Sequence, residues 1–117
     1  MKSRLLIASW LFVVPALFAG DVNRGISLYQ SKDFKQAEKE LRAVIADEPE
    51  NAQALLYLGL TLVDSGKQAE GVGILTKADE LAPGTIEAKI GLARAQLELK
   101  QFDKAEAAIS QAPNGGR

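Results

Sequence analysis

Cysteine and histidine are both missing from the 117 residues. Without cysteine there are no disulfides and no thiolate nucleophile, and without histidine there is no imidazole base. Together the two absences remove zinc sites of the usual nitrogen and sulfur type. An excess of charge of one sign is missing as well. Fourteen basic residues stand against fifteen acidic ones, so the chain has no electrostatic attraction for nucleic acid. Nor is there an apolar run long enough for a comfortable membrane span, which takes about 20 residues.

What remains is an ordinary soluble composition, 47% hydrophobic and 25% charged, of a size that suits one small domain. Residues 1–19 stand apart from it. Lys2 and Arg4 give a positive start, Leu5 to Phe18 is uncharged and apolar, and Pro15 precedes the small residues Ala19 and Gly20. This order is that of a secretory signal peptide cut after Ala19 or Gly20, although Leu17 sits where a small residue is preferred. The alternative is a short anchor to the inner membrane through residues 5–19, and only then does the protein have a membrane partner. Cutting after Ala19 removes Lys2 and Arg4 and takes the formal charge from −1 to −3. The expected destination is the bacterial periplasm.

Within the remainder, LLYLGLTLV (Leu55 to Val63) is nearly unbroken apolar sequence around a glycine. A glycine inside a helix costs about 1 kcal/mol against alanine, so a helix here needs a reason for Gly59. A shift of 34 residues supplies it. Gly25 falls on Gly59 and Ala93, Ala37 on Gly71 and Ala105, Leu41 on Leu75 and Ile109, and Pro49 on Pro83. Small residues return where small residues stood. A 34-residue period is that of a helix–turn–helix unit stacked in an array.

The set Leu58-Gly59, Leu62, Gly71, Leu75, Ala78 and Pro83 resembles the tetratricopeptide repeat. So do KDF at 32–34 and KQF at 100–102 in the flanking units. The resemblance implies an all-α, right-handed solenoid of three repeats at about 21–51, 52–85 and 86–112, forming one domain over 20–112 before a tail at 113–117. Helices are expected near 21–31, 34–47, 52–64, 68–81, 86–99 and 102–111, with N-caps at Asp33, Asn51 and Thr85. It also implies that Gly59 meets Gly71, as Gly25 meets Ala37 and Ala93 meets Ala105, so that paired helices approach closely. Asp21, Leu55 and Lys89 replace the family's large aromatic, leaving aliphatics to fill that pocket, and Gln96 replaces a core residue in repeat three. The chain ends soon after Pro113 with no solvating helix, which suggests self-association, marginal stability or a longer parent array.

By the same resemblance the first helix of each repeat lines a concave groove. Its candidate binding residues are Val22, Asn23, Ile26, Tyr29 and Gln30 from repeat one. Repeat two supplies Gln53, Leu56, Tyr57, Leu60, Val63 and Asp64. Repeat three supplies Ile90, Arg94 and Leu97, flanked by Glu87 and Glu98. An apolar strip of this kind marks an interaction site, and tyrosines are enriched at binding hot spots. The carboxylate clamp of some family members is not expected, because Val22, Ile26, Tyr57, Glu87 and Gly91 occupy its places. Asp64 and Glu98 read as solvated charges rather than as a catalytic pair. The expected function is therefore non-enzymatic: an exported scaffold that holds an apolar helix or peptide and needs no cofactor or metal. A homodimer, or a holdase-type chaperone for exported chains, is the alternative.

Overall fold

A computed structural model describes residues 20–99 and 102–111. Six helices follow in order: α1 (Val22–Gln30), α2 (Phe34–Asp47), α3 (Ala52–Asp64), α4 (Gln68–Leu81), α5 (Ile86–Glu98) and α6 (Phe102–Ser110). Among the described residues the chain is all-helical, and each boundary lies within a residue of expectation. The expected signal segment at 1–19, the tail at 113–117, and Lys100 and Gln101 of the KQF motif lie outside the described residues.

Local chemistry sets the helix ends. Asp21 accepts hydrogen bonds from the backbone amides of Asn23 and Arg24, Asp33 from that of Gln36, and Asn51 from that of Ala54. Each satisfies an amide that has no partner within its helix. Thr85 departs from expectation. Its hydroxyl donates to the carbonyl of Ala82 instead of capping α5, so the threonine closes the turn behind it.

The turns inside repeats one and two are built alike. The amides of Lys32 and Asp33 donate to the carbonyls of Tyr29 and Leu28, and those of Gly66 and Lys67 to Val63 and Leu62. This pairing closes a helix through one left-handed residue. Lys32 at φ 68° and Gly66 at φ 93° are those residues.

Helices pack in sequence, α1 on α2 through α5 on α6, and α3 also touches α1 and α5. The helix α3 is the centre of the stack. Its Ala54, Leu58 and Leu62 join Ala37, Leu41 and Val44 of α2 in one cluster. Its Leu60 and Val63 join Leu75, Leu92 and Ala95 in a second. A helix that faces two cores is apolar nearly all round, which is why LLYLGLTLV has no clear polar face.

Gly59 lies at the α3–α4 seam as its period demands. A Cβ there would stand 2.5 Å from Cγ of Leu75, and one on Gly25 would stand 2.6 Å from Cγ of Leu41, the residue one period earlier. A Cβ on Gly71 would stand 3.1 Å from the carbonyl oxygen of Gly59. The two glycines do meet, but Gly59 chiefly makes room for leucine. In repeat three Ala93 replaces the glycine, and Ile109 is 46% exposed where Leu41 and Leu75 are fully buried. The expected contact of Ala93 with Ala105 lies outside the described side chains.

Polar contacts cross the repeats. Arg42 of α2 pairs with Glu38 on its own helix at 2.9 Å and with Glu70 of α4 at 2.6 Å, while Lys67 pairs with Glu38 at 3.1 Å. Between α4 and α5, buried Lys89 donates to both carboxylate oxygens of Asp79 at 3.0 and 3.1 Å. The pocket expected to hold only aliphatics thus holds Leu55 in repeat two but an ion pair in repeat three. The stem of Lys89 fills the space and its ammonium finds Asp79 at the rim. Gln96 sits where Leu62 is core, and its Oε1 is buried without a hydrogen-bond partner among the described residues.

Candidate interaction surface

The first helices α1, α3 and α5 carry every residue of the expected wall, but the stacking divides them. Asn23, Gln30, Gln53, Asp64, Ile90, Arg94 and Leu97 are exposed, together with Glu87 and Glu98. Val22, Ile26, Tyr29, Leu56 and Tyr57 are half-buried. Leu60 and Val63 are not on the wall at all: they are 8% and 3% exposed, within the second core cluster. The cause is α5, which packs on α3 so closely that a Cβ on Gly91 would stand 2.8 Å from Cδ2 of Leu60. One period on, Arg94 and Leu97 hold the same places but are exposed, with no further helix packed over them among the described residues.

Apolar exposure is therefore concentrated at one end. Ile90 is 57% exposed and Leu97 43%, and Ile86 is exposed beside them on the same face of α5. Behind α5 a cavity of about 330 Å³ opens between α3 and α4, lined by Gln53, Leu56, Thr85 and four alanines. Small side chains at the helix crossing leave this space unfilled.

A polar chain runs along the same wall through all three repeats. The Tyr29 hydroxyl donates to Oδ2 of Asp64 at 2.8 Å, and Nη2 of Arg94 pairs with Oδ1 at 2.8 Å. The ring of Tyr29 lies edge-on to Tyr57, 5.7 Å between centroids, and tilted against Phe34 at 5.8 Å. Burial of the ring, then the hydrogen bond and charge of Asp64, push the Tyr29 phenol above its ordinary value of 10.0, and Arg94 pulls it back in part. Asp64 is therefore an inter-repeat tie rather than a solvated charge. Glu98 accepts from Nε2 of Gln68 at 3.3 Å and makes no pair with Asp64. The sequence signal for the tie is faint: a tyrosine, an aspartate and an arginine spaced 35 and 30 residues apart, close to one period each.

Comparison with known proteins agrees with this architecture. Two family models, both described as tetratricopeptide repeat, match residues 22–86 and 62–117. A tetratricopeptide repeat-containing protein of Pseudomonas aeruginosa, PA4667, is 43% identical over 61 residues, which is 51% of this chain and 10% of that protein. The chain thus spans about a tenth of that curated relative. Among solved structures, MamA from Desulfovibrio magneticus RS-1 (residues 41 to end) superposes with a TM-score of 0.71 at 26% identity, over 75% of this chain and 50% of that one. A MamA RS-1 double mutant gives 0.74 at 25% identity, over 81% and 53%. The TPR2AB domain of yeast Sti1, in its pHSP90 complex, gives 0.74 at 20% identity over 97% and 46%, and supports the fold alone.

Proposed function

Because the chain belongs to the tetratricopeptide repeat family, we propose that it is an exported scaffold that holds an apolar helix or extended peptide against its concave wall. The family places it among protein–protein interaction modules. The finer reading rests on one observation, the exposure of Ile90 and Leu97 on α5. Large aliphatic side chains held rigidly in water favour a partner that covers them. The adjoining cavity has room for one large apolar side chain of that partner, and Gln53 and Leu56 at its rim would touch it. Half-buried Tyr57 and Val22 extend the surface toward repeat one. No catalytic role is assigned: Asp64 is already held on both oxygens, and Glu98 accepts from Gln68.

Site-specific photo-crosslinking in cells tests the reading. A crosslinker in place of Ile90 should trap a discrete set of proteins, whereas one in place of exposed Lys77 on α4 should not. The same set from both positions would end the assignment. Export is proposed on the leader alone. Intact-mass measurement of the exported protein should find its first residue at Gly20 or Asp21, and a chain beginning at Met1 that pellets with membranes would replace the signal by an anchor.

A further inference from the structure

The open face of α5 consists of Ile86, Glu87, Ile90, Arg94, Leu97 and Glu98. At 100° per residue, Ile86, Ile90 and Leu97 fall within about 40° of one another and make an apolar stripe. Glu87 and Arg94 fall within about 20° of each other and line one flank of it. A two-fold axis at the level of the Ile90–Gly91 bond would set two copies of α5 antiparallel. Every contact in such an interface occurs twice, residue i on j and j on i. Glu87 lies three residues before Ile90, and Arg94 three residues after Gly91. Each Glu87 then faces Arg94 of the other copy, on the same flank and at the same height. Ile90 meets its own counterpart at the axis. Ile86 comes within two residues of the level of Leu97 of the other copy, about 3 Å along the helix, on the apolar flank.

Arg94 has donors to spare for this. Its Nη2 pairs with one oxygen of Asp64, and a guanidinium carries five N–H groups. An apolar stripe by itself would accept any amphipathic helix. The acid and base placed evenly about the Ile90–Gly91 bond select a partner with the reversed order, and the chain's own α5, run antiparallel, has it.

We propose that the occupant of this face is a second copy of the chain, joined through antiparallel α5 helices with Ile90 on the two-fold axis. The inference rests on α5 being the interaction surface and names what covers it.

Sedimentation velocity on the purified full chain tests it. Wild type should pass, as concentration rises, from the 12.5 kDa monomer to twice that mass. Ile90→Asp should remain monomeric with an unchanged circular dichroism spectrum, since the side chain lies mostly in water. Glu87→Arg and Arg94→Glu each bring like charges together at both contacts and should each be monomeric alone. Mixed in equal amounts they restore opposite charges at both contacts, and a heterodimer should appear. A dimer that persists in Ile90→Asp, as one held by the apolar leader would, overturns the proposal. So does a wild type that stays monomeric throughout. If Ile90 still crosslinks to another protein in that case, the interaction surface stands and the second copy falls as its occupant.

Discussion

Gly59 and Gly73 lie on consecutive helices and ask for opposite substitutions. A methyl group on Gly59 would enter the fully buried Leu75, so Gly59→Ala should destabilise by about 1–3 kcal/mol, the range for overpacking. A methyl on Gly73 meets nothing within 4 Å, so Gly73→Ala should stabilise by about 0.5–1 kcal/mol through helix propensity. Urea melts of both variants decide the matter, and either sign reversed would misplace that glycine. Leu60 needs a revised expectation. As a wall residue it would accept Leu60→Lys with its helices intact. As a core residue beside Leu75 and Leu92 it should lose about 2–5 kcal/mol, read as a collapse of the melting transition. Gly59 was legible because its period repeats a small residue at a fixed place. Leu60 was not, because its burial depends on the next repeat closing over it. The clue lay in Gly91, a residue without a side chain where the period sets Asn23 and Tyr57.

Helices were the most legible level, since apolar period, prolines and cap residues all point to the same boundaries. Side-chain pairing between helices was not, because ion pairs follow from rotation and reach rather than from order along the chain. The contacts of α2 with α4 show this and carry a pH dependence. Burial raises the Glu38 carboxyl, but hydrogen bonds from Lys67 and Arg42, with their charges, outweigh it and hold the group below its ordinary 4.5. Its folded value is therefore below its unfolded one. The stabilisation is present above pH 4.5 and is lost as pH falls through the folded value. Partly exposed pairs of this kind contribute at most about 1 kcal/mol. Glu38→Gln should lower stability near neutrality and flatten the acid side of the stability curve, as followed by thermal melts from neutral to acid pH. An acid limb identical to wild type would show that the network contributes nothing.

The Tyr29–Asp64–Arg94 chain acts on the whole molecule, because each member belongs to a different repeat. In a linear array stability is a sum of units and of the contacts between neighbours, so a tie across three units raises cooperativity. Asp64→Asn keeps the shape and removes the charge. It should cost about 1–2 kcal/mol, near the value for hydrogen bonds to a charged group. Amides of α1 and α5 should both exchange faster, although neither helix carries the substitution. Faster exchange confined to α3 would mean that the repeats are not coupled there. Tyr29 gives a second readout. Its raised phenol value means stability that is present below pH 10.0 and lost as pH rises through the folded value, and Asp64→Asn should bring its ultraviolet titration down.

The Asp79–Lys89 pair also distinguishes one helix junction from its counterpart one period earlier. One period earlier the same two positions are Ile45 and Leu55, so the α2–α3 and α4–α5 junctions share a shape but not a chemistry. Repeats of like shape invite exchange, in which α5 slides into the slot of α3 or one chain lends a helix to another. With α5 in the wrong slot, Lys89 would meet Ile45 where its own slot offers Asp79. With α3 in the place of α5, Asp79 would lose its ion pair with Lys89. Separating a part-buried pair of this kind counts against such arrangements, because a desolvated charge is left without its partner. A single ion pair thus labels one junction in an array of near-copies and favours the order in which it can form.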